Sequence, residues 1–432
     1  MNESSDGARV ASVARPGKQI AWGGIDQGIS SATNLGLSVL AGRFLGEAGL
    51  GVTFLGFSAC FLTLSIVRGF VTSPYVVITG TLEPAESEAA TRSCITLVIA
   101  AAVGVAVLLA VLGLVVPDPL GQSLIVFAPW AMALIIQDLW RSILFRDQRA
   151  SAAAFNDGVW AAAMILMVPV VWRYPHVSTV AAAWGGGAAA GALVGFWQVK
   201  IRPGGFGDAM RWWKNDLRRL GSWMAAQNML FAAGSQVTII ILAALVSRGD
   251  IGGMRAVQVV FAPMTFIGEA LHYPGIPIMT RALAQSLAEA RRWAVRLGLG
   301  ALVLISLYLA VVIPFSDQLL SKVFRPEFTR FTELILPTAV AQFVWGSSIG
   351  FLILLKADRR VQATIASILA NTLVALVFTP ILAIRYGVLG ATWGLACATS
   401  AGAITSIVFG LLPHDFSLRF RREPRVAVTG ER

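Results

Sequence analysis

Histidine and cysteine are scarce in this sequence, three of each, and their placement removes most metal and redox chemistry. His176, His272 and His414 form no His-Glu-x-x-His arrangement, and no Gly-x-x-x-x-Gly-Lys phosphate loop is present. Cys60, Cys94 and Cys397 lie in or at the start of apolar runs, with neither a disulfide framework nor metal-ligand spacing. Charge is thin as well: 13% of residues are charged, against roughly 25% in soluble domains. Long polar loops are missing. The largest stretch expected on the outer side, 314–331, is too short for the outer domain of a membrane glycan polymerase or ligase. The first 18 residues lack the pattern of a cleaved signal peptide, so the first apolar run is expected to stay as anchor and first helix. No enzyme, no cofactor and no metal site is expected.

What the chain has in abundance is apolar length. It is 56% hydrophobic over 432 residues, with a mean hydropathy of +0.72. A helix needs about 20 mostly apolar residues to cross a bilayer. Twelve runs qualify: 19–42, 50–77, 95–116, 121–139, 151–172, 178–199, 222–246, 253–279, 293–313, 334–355, 362–384 and 387–411. With the N-terminus in the cytoplasm, 25 of the 34 Lys and Arg residues fall on the inner side and eight on the outer, with Arg68 inside the second helix. That asymmetry predicts two cytoplasmic termini and a location in the cytoplasmic membrane. The net charge of +11 comes in short clusters between apolar runs, which suits anionic lipid headgroups and not nucleic acid. Trp22, Trp140, Trp172, Trp197, Trp223 and Trp293 lie near helix ends, where an indole prefers the headgroup region.

Laid on itself at an offset of 201, the chain pairs Trp22 with Trp223, Asp26-Gln27 with Gln227-Asn228, and Gly51 with Gly252. Arg68 falls opposite Glu269, and Pro74 lies one position from the partner of Pro274. At an offset of 209, Ala182–Gly185 pairs with Ala391–Gly394. Six helices per copy make this a parallel repeat. The expected fold is therefore an all-α integral membrane protein of about twelve transmembrane helices. These form two six-helix pseudo-symmetric halves around a central cavity. The expected divisions are a cytoplasmic N-tail (1–18), a first lobe (19–199), a cytoplasmic amphipathic linker (200–221), a second lobe (222–411) and a basic cytoplasmic tail (412–432). Within the linker, Ala209, Trp212, Trp213, Leu217 and Leu220 alternate at helical spacing with Arg211, Lys214, Asn215 and Arg218, the pattern of a helix lying on the membrane surface. Gly185–Gly187 and Gly191 suit close helix packing.

Three stretches resemble one family. AWGGIDQGISSATNLGLSVLAGRFLGEAGLG (21–51) closes a helix on Arg43-Phe44-Leu45-Gly46 and starts the next at Gly51. LWRSILFRDQRA (139–150) is a basic turn between the fourth and fifth helices, and RYGVLGATWG (385–394) carries Tyr-Gly-x-x-Gly-Ala at the start of a late helix. Together they resemble polysaccharide-transport, Wzx-type lipid-linked oligosaccharide flippases of the multidrug/oligosaccharidyl-lipid/polysaccharide exporter superfamily. The resemblance implies translocation of a lipid-linked anionic glycan, a polysaccharide precursor, across the cytoplasmic membrane by alternating access. A multidrug or cation antiporter of the same superfamily remains open. So does a non-transporting scaffold whose partners are glycan-synthesis enzymes.

Ionisable residues within apolar runs are costly, roughly 2.5–3.5 kcal/mol at a helix centre, and tend to face a cavity or a partner. They are Asp26, Arg68, Asp157, Arg255 and Glu269, with Asp138 and Arg296 nearer the boundaries. In the flippase reading Arg68 meets a lipid pyrophosphate, because a guanidinium offers fork geometry and permanent charge. Glu269 is then its counter-ion in the empty cavity or a proton-coupled carboxylate. A structural interhelical pair is the other reading. Asp26, Gln27 and Asn34, with their counterparts Gln227, Asn228 and Gln236, either line a sugar path or hold helices together. Arg43 and Arg255, near the outer face, either meet phosphate or end helices. Asp157 has no assigned partner. The candidates sum to a net basic cavity.

Overall fold

The structure, a computed structural model, describes residues 16–79, 82–358 and 360–412, and leaves the side chains of residues 16–18, 20, 231, 233, 265–267, 269, 270, 272–274 and 277 undescribed. The N-tail to residue 15 and the basic tail from 413, with His414, lie outside the described residues. Everything described is helix or short connection, with no strand.

The helices are α1 (Pro16–Val67), α2 (Pro84–Val115), α3 (Leu120–Arg146), α4 (Ala150–Leu166) and α5 (Val177–Val199). They continue with α6 (Phe206–Trp212), α7 (Arg218–Ala232), α8 (Arg248–Val260), α9 (Ala262–Gln285) and α10 (Leu287–Val312). The last are α11 (Ser316–Val323), α12 (Ile335–Ala357) and α13 (Val361–Leu411). Nine helical stretches among the described residues are long and apolar enough to span a bilayer. Two are double: Ala21–Thr79 with 59 residues and Val361–Leu411 with 51. At 1.5 Å per residue each would exceed about 75 Å if straight, more than twice the hydrocarbon thickness. Neither is straight. Gly46 (φ +73°) interrupts α1, and Tyr386 and Gly387 (φ +61°) interrupt α13. A residue with a Cβ is strained in that left-handed conformation, so glycine supplies the reversal with no intervening loop. These glycines belong to the Arg-x-Leu-Gly and Tyr-Gly motifs of the sequence. Among the described residues, nine stretches with two of them folded back are enough for eleven crossings, and α8 and α9 occupy the run expected as a twelfth.

The described residues divide into two compact units, one within Met1–Val259 and Asp317–Thr332, the other within Val260–Ser316 and Glu333–Arg432. The division does not fall at the 200–221 linker. Helix runs from Phe206 through Leu242 without a break. α6 is its first turns, joined to α7 by a π turn (Trp213–Leu217). Ala209 of α6 and Leu217 of the π turn are fully buried, whereas Phe206 is exposed.

In the first unit small residues on two sides of α5 receive indole rings from α3 and α4. A Cβ at Gly185, Gly187 or Gly195 would stand 2.3 Å, 2.3 Å and 2.4 Å from Trp130, Trp160 and Trp140 respectively. Trp140 is therefore 2% exposed, a core residue and not the headgroup anchor its position suggested. Trp172 and Trp197, each 74% exposed, do fit such a role. Trp184 fills the centre, 5.6–6.1 Å from the rings of Phe57, Phe127 and Trp160. Its indole N–H donates to Asn34 Oδ1 at 3.1 Å.

The repeat-related glycines meet directly. A Cβ at Gly51 would lie 1.9 Å from the Arg248 carbonyl oxygen, and one at Gly252 would lie 1.9 Å from that of Glu47. α1 and α8 thus cross backbone on backbone at the pair that internal repetition aligned. Segment 317–332 lies over the same end. Arg43 Nη1 donates to the carbonyls of Lys322 (2.8 Å) and Phe324 (3.2 Å). Arg325 reciprocates on the carbonyls of Arg43 (2.8 Å) and Phe44 (2.9 Å). In the second unit, Met279, Ala290, Ala294, Ile349, Phe351 and Ile353 form the core between α9, α10 and α12.

Candidate functional site

A cavity of about 410 Å³ opens in the first unit, lined by Gln27, Arg68, Thr72, Ser73, Val76, Asp138, Arg141, Ser142 and Phe145. Its place follows from three helices. Arg68 lies 22 residues beyond the Gly46 reversal, about 33 Å along the helix. The cavity therefore sits toward the other end of this helix from Gly46. Arg68 also begins a π turn (Arg68–Thr72) in which the Ser73 N–H reaches back to the Arg68 carbonyl. Pro74 explains the turn. It has no N–H to give the carbonyl four residues earlier, that of Phe70, and the Trp213 indole N–H takes that acceptor at 3.2 Å.

Arg68, Asp138 and Arg141 stand on the wall, and Asp26 and Asp157 meet Arg141 from the lobe interior. Arg68 grips Asp138 through Nε (2.7 Å to Oδ2) and through a short Nη2 contact to Oδ1. The pair is lopsided in burial: the Arg68 side chain is 40% exposed and that of Asp138 only 6%. One α3 turn further, Arg141 holds Asp26 through Nε (3.0 Å to Oδ2) and Nη2. Its Nε also stands 3.5 Å from Asp157 Oδ2. Gln137 Nε2 donates to the other Asp157 oxygen at 2.7 Å and to Asn156 Oδ1 at 3.0 Å. Asn156 in turn donates to the Gly191 carbonyl at 2.7 Å. Asp26, Asn156 and Asp157 are fully buried, so removing Arg141 would leave two carboxylates in the lobe interior without their cation. Of the five charged groups, Arg68, Arg141 and Asp138 line the cavity, two guanidiniums to one carboxylate.

The sequence candidates divide sharply. Arg68, Asp26 and Gln27 come together here. Asp26 is an interior ion-pair partner; Gln27 is exposed to the cavity, its amide 3.5 Å from Ser31 Oγ. Arg68 has Asp138 as its counter-ion. The proposed opposite number, Glu269, has a side chain outside the described residues. Asn34 serves the core through Trp184, and Arg43 closes over the 317–332 segment, so neither lines this cavity. Gln227 and Asn228 are half-buried on α7; Gln236 Oε1 is buried without a hydrogen-bond partner among the described residues. Arg255 lies between two rings, 4.6 Å from the Phe54 centroid and 5.3 Å from that of Phe57, and donates to Ser38 Oγ at 2.9 Å. No described carboxylate lies within ion-pair distance of it.

Arg141, Gln137 and Asn156 went unrecognised as site residues, and Asp157 lacked a partner. Arg141 reads in sequence as the first basic residue of a loop. The signal was nonetheless present: Gln137, Asp138 and Arg141 recur at helical spacing, placing them on one face of a helix whose other face is apolar.

No protein-family model matches the chain, and no curated protein matches it in sequence. Solved structures do match in fold. Lipid II flippase MurJ in an inward closed conformation has a TM-score of 0.70 at 13% identity, covering 90% of this chain and 87% of that one. An inward-facing multidrug resistance MATE family transporter of the MOP superfamily has a TM-score of 0.68 at 12% identity, over 90% and 97%. A MOP superfamily transporter from Pyrococcus furiosus, described as having a binding pocket of reversed polarity, has 0.59 at 13% identity, over 91% and 93%. The chain thus has the multi-pass, all-helical membrane fold of these transporters.

Proposed function

From that fold we propose that the chain is a flippase. It carries a lipid-linked, anionic oligosaccharide across the cytoplasmic membrane by alternating access, and Arg68 receives the phosphate groups. The observation that carries this reading is the half-exposed guanidinium on the cavity wall. Asp138 occupies Nε and one N–H of Nη2; of the five N–H donors of an arginine, three remain. They suit phosphate oxygens, which accept charge-assisted bonds from a planar fork. Thr72, Ser73, Ser142 and Gln27 around it offer hydroxyls and an amide to sugar, and Arg255 is a second candidate for phosphate.

The test is translocation of a fluorescent lipid-linked oligosaccharide in proteoliposomes. Arg68→Glu abolishes it at wild-type protein levels, whereas undiminished translocation refutes the role of Arg68. Cells lacking the protein accumulate the lipid-linked glycan on the inner leaflet.

A second reading, a cation or drug antiporter, is favoured by one feature: Asp157 Oδ2, next to Arg141, is buried and without a hydrogen bond among the described residues. Unchanged glycan with increased drug sensitivity in cells lacking the protein decides for it.

A further inference from the structure

The α6 region carries charge that the cavity does not use. Lys200, Arg202, Arg211, Lys214, Arg218 and Arg219 are all exposed, against Asp208 and Asp216, a surplus of four positive charges within 20 residues. Arg211 is paired with Asp208. Exposed aromatic side chains flank the patch: Trp197 (74%), Phe206 (56%) and Trp223 (54%). A basic surface rimmed by amphipathic rings complements the headgroup layer of an anionic leaflet, in charge and in polarity.

The patch is also tied to the cavity wall. At its start, the Gly204 N–H donates to the Arg92 carbonyl (3.3 Å), and Thr96 Oγ1 donates to the Gly204 carbonyl (3.1 Å). At its far side Trp213 supplies the hydrogen bond that Pro74 cannot, on the Phe70 carbonyl within the π turn that begins at Arg68. The contact there is close. A Cβ at Gly221 would stand 2.6 Å from that carbonyl oxygen, and one at Gly69 would stand 2.4 Å from the Ala225 Cα. A displacement of α6 or α7 therefore bears on the π turn, because no side chain lies between the backbones to absorb it.

We propose that residues 200–219 form a docking surface for anionic lipid headgroups, and that Trp213 couples its occupancy to the π turn carrying Arg68. This deepens the transport reading by giving its site a lipid-dependent control. The control acts on Arg68 whichever substrate the cavity takes.

The experiment is hydrogen–deuterium exchange on the full-length protein in phosphatidylcholine nanodiscs with and without phosphatidylglycerol. Anionic discs slow exchange several-fold in both 206–219 and 68–79. Replacing Lys200, Arg202, Lys214 and Arg218 by Gln removes both responses, since each basic residue near an anionic surface strengthens association roughly fivefold. Trp213→Phe keeps the response of 206–219 and loses that of 68–79. Equal exchange in the two disc types overturns the docking surface. A wild-type response of 68–79 in Trp213→Phe overturns the coupling. No transported substrate enters the measurement, so its failure is separate from failure of the flippase assay.

Discussion

Removing either member of the Arg68–Asp138 pair breaks the same two hydrogen bonds, yet the costs should differ severalfold. The Asp138 side chain is 6% exposed and that of Arg68 40%. Arg68→Met strands a buried carboxylate, and an uncompensated buried charge costs about 3–5 kcal/mol. Arg141 offers little relief, being already engaged by Asp26 and Asp157. Asp138→Asn strands a guanidinium that can be solvated from the cavity and can still donate to the amide oxygen. That loss is about 1 kcal/mol. The double change Arg68→Met/Asp138→Leu removes both charges at once and should cost about 2–3 kcal/mol less than the sum of its parts. Tryptophan-fluorescence unfolding of the purified variants in one detergent measures all three. If Asp138→Asn destabilises as much as Arg68→Met, or the double variant is additive, the picture of a buried anion held by a cavity-facing cation is wrong.

Two further predictions concern the Gly46 end of the same lobe. Gly51→Ala and Gly252→Ala each push a Cβ to 1.9 Å from the facing carbonyl oxygen, so each should cost about 1–3 kcal/mol through overpacking. Because one parting of α1 and α8 admits both methyl groups, the double variant should cost less than the sum; full additivity in thermal unfolding would sink the backbone-crossing account. Arg325→Ala leaves the Arg43 and Phe44 carbonyls without their guanidinium donor. Amide exchange in 317–332 should rise in that variant, and an unchanged rate would mean that the arginine clasp does not hold the segment.

The primary structure by itself determined the broad architecture. Hydropathy fixed the crossings because the bilayer demands a set length of apolar helix regardless of neighbours. The two helix reversals were legible too, since only glycine enters the left-handed region cheaply, and Gly46 and Gly387 stand where the motifs place them. The two glycines that the repeat offset aligned, Gly51 and Gly252, lie in contact. Partner choice was not legible. A guanidinium reaches whatever acceptor packing brings within about 3 Å, and sequence offset gives no distance. Asp138 came to Arg68 through the turn spacing of α3, a pairing that sequence offset did not indicate. Arg43, offered as a phosphate contact or a helix end, gives its Nη1 to the Lys322 and Phe324 carbonyls. Tertiary packing alone decided which polar side chains face the cavity and which, like Asp26 and Asn34, are used up inside the lobe.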